Sequence, residues 1–416
     1  MRVMLVGRGG RESALAWRLM ASPSVSVLVV CDASPGWPEG VTFREAMGVE
    51  GIVAAATAEH IDLVVVGPEA PLAAGLVDAC EAAGLVAFGP RAGAARLESS
   101  KAFAKEILVS TGITTASTLV VDSSDPESCA LGRRRCALGR VVLKADGLAA
   151  GKGVEVCPTA EEALVAFERM SRFGAAAATI LLEDLLFGQE VSVFGISDGV
   201  RVVALPSAQD HKRLGDLDTG PNTGGMGAIA PCPLVDAAVA QRLVDEIHTP
   251  VVAEMARRGT PFRGVLYAGL MMTAEGPFVL EFNARFGDPE CQVLMALWKD
   301  DPVPWLYGSA VGALPSGVPA FHDGSAAVIV LAAAGYPDNP EKGAALPEPR
   351  AVDGVVFHAG TKRDGQGVLR VDGGRVLGVV AVGTNVRDAV NRAYGSVPSL
   401  AWPGMVWRKD IGARWM

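Results

Sequence analysis

The chain is poor in several features that mark particular protein classes. Aromatic residues make up 6% of its 416 residues, and 37 basic residues face 46 acidic ones, which gives a net charge of −9. This balance argues against a general nucleic-acid or anionic-membrane binder, which would carry a basic surface. The longest apolar run, near residues 326–334, is far shorter than the ~20 residues needed to span a bilayer. Small anionic substrates are not excluded, because a few local Lys and Arg side chains suffice for one phosphate.

Cysteine is scattered, and the seven residues include no Cys-x-x-Cys pair. Neither a zinc site nor a redox site is indicated, and a reduced, cytoplasmic setting fits best. The short apolar segment Arg2–Val6 runs directly into glycines and charged residues. That pattern is typical of a first β-strand and unlike a signal peptide.

Apolar residues and glycine are abundant instead. Hydrophobic residues make up 50% of the chain, enough for a large core, and the length predicts about two to four domains. Over the first hundred residues, short apolar runs alternate with helical patterns, which predicts βαβ units around a parallel sheet with ligands at the carboxyl ends of its strands. The predicted strands are Arg2–Val6, Val25–Val30 and Ile61–Val66, and the predicted helices are Arg11–Met20 and Leu72–Ala83.

A different pattern begins at Lys101, where short helices and strands predict a small α+β lid. The glycine-dense loop Gly215–Gly227 precedes a long helix within Leu234–Arg258, and the tail from about Phe321 is strand-rich. The other predicted helices are Lys101–Ser110, Pro126–Leu138, Thr159–Phe173 and Val386–Tyr394. The other predicted strands are Leu119–Val121, Arg140–Lys144, Thr179–Asp184, Glu190–Ile196, Gly264–Thr273, Gly276–Asn283, Ala326–Ala332, Val355–His358 and Val376–Val382.

Two turns close strands of the predicted parallel sheet. In Gly7–Glu12 the glycines allow close backbone approach, and free N–H groups at a helix start would bind a phosphate. A dinucleotide is disfavoured, because Glu12 stands where the dinucleotide fingerprint has its third glycine. In Gly67–Leu72, Glu69 is a candidate for binding a ribose hydroxyl or an amine. A tight turn without a ligand is the alternative for both segments.

Two later segments suit a nucleotide. Lys144 ends a predicted strand, and the glycine loop that follows carries Lys152 and would fold over phosphates. The loop is not a Walker A motif, because Gly153 stands where the magnesium-binding Ser or Thr should be. The segment Glu183–Glu190 joins two lid strands; its backbone could bind an adenine edge and its last carboxylate a ribose. A solvated hairpin and a plain β-turn are the respective alternatives.

Acidic, basic and amide side chains cluster in two further segments. Gln209–Arg213, followed by the glycines of Asp218–Gly227, predicts a pocket for anions and amines rather than a solvated charge run. Glu281 and Asn283 stand at i and i+2 of a predicted strand and so share one face. Two oxygen ligands on one face, completed by phosphates, are a usual way to bind Mg²⁺. The adjacent Arg285 could neutralise a transferring phosphoryl group.

These motifs together resemble the glycinamide ribonucleotide synthetase (phosphoribosylamine–glycine ligase) family of the ATP-grasp superfamily, over essentially the whole chain. The matching motifs are the opening glycine turn, Gly67–Leu72, Lys144–Gly153, Asp210–Arg213, Thr219–Gly227, Phe286–Glu290, His358–Lys362 and Arg408–Gly412. The resemblance implies an α/β fold with three domains: an N-terminal parallel-sheet (Rossmann-like) domain at 1–100 that binds phosphoribosylamine, an ATP-grasp α+β core at 101–318 with a mobile lid at about 120–187, and a small strand-rich C-terminal domain at 319–416.

The resemblance also implies the reaction of de novo purine biosynthesis that joins glycine to 5-phosphoribosylamine. ATP phosphorylates the glycine carboxylate, and the amine attacks the acyl phosphate to give glycinamide ribonucleotide, ADP and phosphate. The implied cofactors are ATP as co-substrate and Mg²⁺ or Mn²⁺; no nucleic acid or membrane is implied, and a monomer is expected.

The family's functional residues are carried over position by position. The implied catalytic residues are Lys144, Asp210, Lys212 and Arg285, and the implied metal ligands are Glu281 and Asn283. The implied ATP-binding residues are Lys101, Lys144, Gly151, Lys152, Gly153, Glu183, Asp184, Leu185, Leu186 and Glu190. The implied substrate-binding residues are Gly7, Gly9, Gly10, Pro68, Glu69, Asp210, Arg213, Gly224, Gly225 and Asp288.

The chain also departs from the family pattern. Arg8 and Ser13 stand where Asn and His are usual, Asp184 replaces Glu, and Gly174–Ala178 replaces an acidic lid segment. Many superfamily members have a further metal carboxylate on the strand before Glu281. This chain has Leu, Met and Met there, so two protein metal ligands are expected.

Three other functions compete with this reading. A ligase of the same superfamily could use another carboxylate, such as a different amino acid or bicarbonate. A non-catalytic nucleotide-binding module would bind ATP without turnover, but the intact set of Glu281, Asn283 and Arg285 speaks against it. A nicotinamide dehydrogenase is disfavoured by Glu12 in the fingerprint.

Overall fold

The computed structural model describes residues 1–147, 153–170, 177–349 and 352–416. Its first part is a parallel five-stranded sheet in the order β3-β2-β1-β4-β5, here called the N-terminal sheet. This confirms the predicted parallel arrangement. The elements are β1 (Arg2–Val6), α1 (Gly10–Met20), β2 (Val27–Val30), β3 (Thr42–Phe43), α2 (Gly48–Ala58), β4 (Leu63–Val66), α3 (Glu69–Ala73), α4 (Leu76–Ala82), β5 (Ala87–Phe88) and α5 (Ala92–Ser99).

Two helices predicted as continuous are interrupted. The helix predicted over Leu72–Ala83 is two helices, α3 and α4, because Gly75 takes a left-handed conformation with φ +84° between them. The long helix within Leu234–Arg258 is α9 (Ala237–Leu243), a π-helical turn over Val244–His248 and α10 (Thr249–Arg257). In both places the apolar pattern continues through the interruption, so periodicity alone could not locate it.

An antiparallel sheet in the order β6-β9-β7-β8 follows, here called the lid sheet. Its helices α7 and α8 pack on one face around Phe167 and Ile180, which are almost fully buried. The elements are α6 (Lys101–Ser110), β6 (Thr118–Asp122), α7 (Pro126–Cys136), β7 (Val141–Ala145), β8 (Val154–Cys157), α8 (Ala160–Met170) and β9 (Thr179–Asp184). The glycine-loop residues Gly151 and Lys152, the end of the predicted helix Thr159–Phe173 and most of Gly174–Ala178 lie outside the described residues.

The central sheet is antiparallel in the order β11-β10-β16-β17. It is covered by α6, α9 and α10 through a buried apolar cluster. The elements of this region are β10 (Gln189–Asp198), β11 (Val202–Ala204), β12 (Gln209–Asp210), β13 (Arg213–Gly215), β14 (Thr219–Asn222), β15 (Gly227–Ala230), β16 (Arg263–Thr273), β17 (Gly276–Asn283), α11 (Glu290–Leu297) and α12 (Val303–Val311).

The tail completes a C-terminal sheet in the order β12-β15-β18-β22-β19, with α13 packed on it. Two of its strands, β12 and β15, come from before residue 231, so this sheet crosses the domain boundary expected at 318/319. The elements after α12 are β18 (Ser325–Ala332), β19 (Val355–His358), β20 (Thr361–Arg363), β21 (Leu369–Val371), β22 (Arg375–Gly383) and α13 (Val386–Ser396). The predicted strand-rich tail is thus confirmed.

Helix α11 joins the N-terminal and C-terminal sheets. It packs against α1 on one side and against β15 and β18 on the other. Residues Glu290–Leu294 are all buried. A short segment, residues 284–289, connects α11 to β17, the strand that carries Glu281 and Asn283. Among the helices within the described ranges, none is both long and apolar enough to cross a membrane.

Candidate active site

A cleft of about 900 Å³ is lined by residues from all parts of the chain. Most of the predicted site residues line it. These are Glu69, Lys101, Lys144, Gly153, Glu183, Asp184, Leu185, Leu186, Glu190, Asp210, Lys212, Arg213, Gly224, Glu281, Asn283, Arg285 and Asp288. Gly7, Gly9, Gly10, Pro68 and Gly225 are not among the lining residues, and Gly151 and Lys152 lie outside the described part of the chain.

The two predicted metal ligands end β17 and both line the cleft. Glu281 is half-buried, and its Oε1 lies 3.3 Å from Lys212 Nζ. Lys212 lowers the pKa of Glu281 to about 2, and Lys144 and Lys101 contribute to this against the effect of burial. The carboxylate is therefore ionised at neutral pH. A carboxylate and an amide oxygen beside several lysines suit a hard divalent cation that carries phosphates. Within the described ranges, no group of three or more His, Cys, Asp or Glu side chains is arranged to hold a metal.

Lys144 is buried at the end of β7. Its Nζ lies 2.9 Å from Glu183 Oε2 and donates to the backbone oxygen of Leu280 at 2.8 Å. Glu183 is also 3.2 Å from Lys105 Nζ, and its side chain is 3% exposed. The carboxylate of Glu183 thus fixes two lysines. An adenine contact of this residue would have to come from its backbone, because its side chain is engaged in these ion pairs.

Lys101 begins α6 beside the described start of the glycine loop. Asp146 accepts from the backbone N–H of Ala102 at 2.7 Å and so caps α6. Lys101 Nζ donates to the backbone oxygen of Gly147 at 3.3 Å, and burial lowers the pKa of Lys101. The cap therefore holds Lys101 next to the loop that the sequence analysis assigned to phosphates.

The hinge Glu183–Leu186 forms part of an apolar wall. The N–H groups of Asp184 and Leu185 are bonded to the backbone oxygens of Ser117 and Arg140, both at 3.0 Å. Leu186 lines the cleft together with apolar side chains from four strands. These side chains are Val142, Val154, Val156, Met271, Leu280 and Phe282. A slot of this composition suits a flat aromatic ring such as adenine.

Lys212 bridges two predicted ligand-binding carboxylates. Its Nζ lies 3.0 Å from Glu190 Oε2 and 3.3 Å from Glu281 Oε1. Burial alone would lower the pKa of Lys212, but Glu190 and Glu281 hold it well above its ordinary value. The side chain is therefore a fixed positive charge in the middle of the cleft.

Asp210 and Glu290 form a second acidic group, next to this lysine. Burial and the neighbouring Glu290 raise the pKa of Asp210 well above its ordinary value. Asp210 Oδ1 is buried and makes no hydrogen bond with any residue that the structure describes. Glu290 is 3% exposed and accepts from Ser192 Oγ at 3.1 Å. Two carboxyl groups with an unused oxygen make a place for a positively charged ligand group.

Arg285 is held by two carboxylates. Its Nη2 lies 2.7 Å from Glu98 Oε1 and its Nε 3.4 Å from Glu69 Oε2. Glu69 also lies 3.9 Å from Arg11 Nη2. Burial would raise the pKa of Glu69, but Arg285 and Arg11 keep it below its ordinary value. Glu69, predicted as a candidate for binding a ribose hydroxyl or an amine, contacts Arg285 and Arg11 in the structure.

The N-terminal glycine turn differs from its prediction. The N–H of Gly9 is not free, because it donates to Glu12 Oε2 at 2.6 Å. Glu12 is 2% exposed and also accepts from Arg11 Nε at 2.6 Å. A Cβ built on Gly67 would lie 2.2 Å from Glu12 Oε1, so glycine is required there for packing. The Glu12 carboxylate thus accepts from one of the N–H groups that the sequence predicted to be available for a phosphate.

Asp288 lies between this turn and the C-terminal sheet. Its Oδ2 accepts from Arg375 Nη2 at 3.0 Å and its Oδ1 from Gln292 Nε2 at 2.9 Å. Burial would raise the pKa of Asp288, but Arg375 and Arg11 keep it below its ordinary value. Asp288 and Arg375 both line the cleft.

Sequence reasoning missed several charged residues of the cleft. Arg11 and Glu290 lie within the motifs Gly7–Glu12 and Phe286–Glu290, so their positions in these motifs could have identified them. Glu98 and Arg375 stand outside those motifs, and only the fold brings them to the site.

Comparison with known proteins agrees with this geometry. Family models match the phosphoribosylglycinamide synthetase N domain at residues 1–98, its ATP-grasp (A) domain at 99–291 and its C domain at 326–414. Phosphoribosylamine–glycine ligase from Agrobacterium fabrum is 45% identical over 421 residues, covering 99% of this chain and 98% of the relative. The Escherichia coli protein of that name is 44% identical over 100% of this chain and 98% of its own length.

Solved structures show the same similarity. A phosphoribosylamine–glycine ligase from Thermotoga maritima superposes with a TM-score of 0.85 at 31% identity, covering 99% of this chain and all of the other. A biotin carboxylase domain from Hydrogenobacter thermophilus shares the fold, with a TM-score of 0.74 at 17% identity over 98% of this chain and 91% of that one. Full-length identity to the ligases and the three matched domains show that the chain belongs to the phosphoribosylglycinamide synthetase family of ATP-grasp ligases.

Proposed function

We propose that the chain joins glycine to 5-phosphoribosylamine at the expense of ATP, giving glycinamide ribonucleotide, ADP and phosphate. It is an ATP-dependent carbon–nitrogen ligase of purine biosynthesis. The observation that carries the proposal is the meeting of Glu281, Asn283, Lys144, Lys212 and Arg285 around one cleft. Metal-type oxygen donors, phosphate-type cations and an arginine are the groups that phosphoryl transfer to a carboxylate requires.

ATP would lie between the lid sheet and the central sheet. The apolar wall at Leu186 suits adenine, and Glu190 suits the ribose hydroxyls. Lys101 and Lys144 would contact phosphate oxygens, together with the glycine loop up to Gly153. The biotin carboxylase domain that shares this fold was solved with MgADP, which supports a nucleotide site in this architecture.

Glu281 and Asn283 would hold the divalent cation, and either Mg²⁺ or Mn²⁺ suits their oxygen donors. A cation held there would supply neutralisation of the charge that develops during phosphoryl transfer. Lys212 currently contacts Glu281 at 3.3 Å. Beside this carboxylate, the ammonium group of Lys212 would stabilise the transferring phosphoryl group together with Arg285.

Glycine would bind as a zwitterion with its ammonium group at Asp210 and Glu290. This places its carboxylate toward Lys212 and Arg285. A carboxylate oxygen of glycine attacks the γ-phosphorus of ATP, and ADP leaves. The amine of 5-phosphoribosylamine then attacks the acyl carbon, phosphate leaves, and the nitrogen loses a proton. One difficult amide formation is thereby divided into two easier steps.

The amine substrate would bind on the other side of Arg285. Asp288, Arg213 and Gly224 line the cleft there. Gly7, Gly9, Gly10, Pro68 and Gly225 are proposed as further substrate-binding residues. Gly10 and Gly225 lie close to the carboxylates of the cleft, because a Cβ built on Gly10 would lie 3.2 Å from Asp288 Oδ1 and one on Gly225 2.7 Å from Asp210 Oδ1. A monomer in the cytoplasm is proposed, and the seven free cysteines fit a reducing compartment.

The experiment is a phosphate-release assay with purified protein, 5-phosphoribosylamine, glycine and Mg-ATP. We expect phosphate release that requires both glycine and the amine. Replacing glycine by alanine, bicarbonate or other carboxylates tests the alternative carboxylate substrates. Release that does not depend on glycine, or ATP binding without turnover, would contradict the proposal.

A further inference from the structure

The C-terminal segment, residues 408–416, packs against the substrate loop, residues 209–218, although about 190 residues separate them. The substrate loop carries Asp210, Lys212 and Arg213, and its first strand, β12, is the edge strand of the C-terminal sheet. The motif Arg408–Gly412 was part of the family resemblance but has no place in the reaction described above. Its contacts with the loop suggest one.

Arg408 is the main link between the two segments. Its side chain is 1% exposed, and its Nη1 donates to Asp218 Oδ1 at 2.7 Å and to the backbone oxygen of Arg213 at 3.2 Å. Its other nitrogens donate to both oxygens of Asp410, at 2.8 and 2.7 Å. A buried arginine that bonds to two carboxylates holds both of them in defined positions. Arg408 thus connects the substrate loop to the C-terminal segment.

The loop between Arg213 and Asp218 has a strained backbone. Leu217 and Asp218 have φ values of 57° and 54°, which residues other than glycine rarely adopt. Asp410 Oδ2 accepts from the N–H of Leu217 at 2.8 Å, and Asp216 Oδ1 accepts from the N–H of Lys409 at 2.8 Å. The C-terminal segment thus holds this conformation through reciprocal bonds.

The other end of the loop is also attached. His211 Nε2 accepts from the N–H of Gly412 at 3.3 Å, and Gln209 Oε1 accepts from Trp415 Nε1 at 2.7 Å. Lys212 therefore lies between two residues, His211 and Arg213, that both contact the C-terminal segment. Its ammonium group must reach Glu190 and Glu281 at about 3 Å.

We propose that the C-terminal segment positions Lys212 in the active site, with Arg408 as its central positioning residue. The proposal rests on the ligase activity proposed above. A displacement of a catalytic group by about 1 Å can cost on the order of 100-fold in rate. We call the contacts of Arg408 and Asp410 with residues 213–218 the clamp. Its loss should accordingly lower kcat. The nucleotide site, built largely from the lid and central sheets, should keep its affinity.

The test compares Arg408→Met with Arg392→Met, a matched control. Arg392 also pairs with an aspartate through two nitrogens, Asp353 at 2.9 and 2.6 Å, but does not touch the loop. We expect Arg408→Met to lower kcat at least about 10-fold, with KM for ATP changed less than about 3-fold. Hydrogen exchange should accelerate in the peptide covering residues 209–218, and Arg408→Lys should recover part of kcat. Arg392→Met should match the unmodified chain.

Unchanged kcat or unchanged exchange of the loop in a folded Arg408→Met variant would overturn the proposal. If that variant does not fold, Asp218→Asn decides, because its side chain is 62% exposed and its replacement removes only one link of the clamp. We expect Asp218→Asn to lower kcat about 3-fold or more and to accelerate hydrogen exchange of the loop. A kcat equal to that of the wild type would again overturn the proposal. Activity of the unmodified chain, run in parallel, separates these outcomes from a failure of the proposed function.

Discussion

Two glutamates of the cleft, each close to lysines, differ in solvent exposure and therefore in how readily they can exchange an ion-pair partner for a ligand. Glu183 is 3% exposed and pairs with Lys144 and Lys105, whereas Glu281 is 31% exposed and contacts Lys212. A buried ion pair is hard to exchange, because removing one partner leaves a charge without solvent. A half-exposed pair can exchange its partner for a ligand. The first group thus fixes the position of Lys144, and the second is the part of the cleft that can accept a cation and phosphates.

The largest effect is expected at the partly exposed pair of Glu281 and Lys212. Glu281→Gln removes a proposed metal ligand, and we expect kcat to fall about 1,000-fold, because charge neutralisation by the cation would be lost. The free energy of unfolding should fall by less than the about 3 kcal/mol expected for the buried Glu183, since the pair with Lys212 is partly exposed. Steady-state kinetics over a range of Mg²⁺ and Mn²⁺ concentrations and urea unfolding would measure both. Unaltered metal dependence would remove Glu281 from the ligands.

Replacement of the buried Glu183 should mainly lower stability. Glu183→Gln leaves Lys144 and Lys105 buried without their shared carboxylate, and we expect a loss of about 3 kcal/mol in the free energy of unfolding. Urea unfolding followed by circular dichroism measures this loss. Glu168→Gln, a change of the same kind in an exposed lid ion pair with Arg133, is the control and should cost less than about 1 kcal/mol. Equal losses in the two variants would contradict the contrast.

Asp210 extends the comparison to glycine. Asp210→Asn keeps the shape but cannot become negatively charged opposite the glycine ammonium group, so we expect KM for glycine to rise about 10-fold, as loss of one charged hydrogen bond would do. KM for ATP should stay within about 2-fold, because Asp210 is assigned to glycine. Initial rates at varied glycine and varied ATP distinguish the two. A rise in KM for ATP alone would place Asp210 at the nucleotide instead.

The smallest effect concerns a buried group outside the cleft. Burial lowers the pKa of His248 to about 4, so on acidification the unfolded chain takes up the proton first. Stability from this residue is complete above pH 6.5 and decreases as the pH falls toward 4. We expect about 1 kcal/mol to be lost between pH 7 and 5.5. Urea unfolding of the wild type and of His248→Leu at both pH values tests this, and equal pH dependence in the two proteins would contradict it.

Local sequence singled out much of the cleft wall that we assign to the nucleotide. Lys144, Glu183 and Glu281 stand at the ends of strands, where alternation and glycine-rich neighbours identify them before any fold is known. The type and approximate bounds of most long elements were equally accessible. The interruptions at Gly75 and Val244–His248 were not, because the apolar pattern continues across both.

The remaining features depend on tertiary contacts. The use of the Gly9 N–H by Glu12 could have been predicted, since glutamate at the third helical position is a known capping pattern. Arg375, Glu98 and Arg408 could not, because their partners Asp288, Arg285 and Asp218 are 87 to 190 residues away. Only packing of the sheets brings such pairs together.

The central claim is that the glycine carboxylate is phosphorylated in this cleft before the amine attacks. Glycine labelled with ¹⁸O in its carboxylate tests it most directly, with mass spectrometry of the released phosphate. The account predicts one ¹⁸O atom transferred to each phosphate formed, because the oxygen that bonded to phosphorus leaves with it. Phosphate free of ¹⁸O, released together with labelled glycinamide ribonucleotide, would contradict the account.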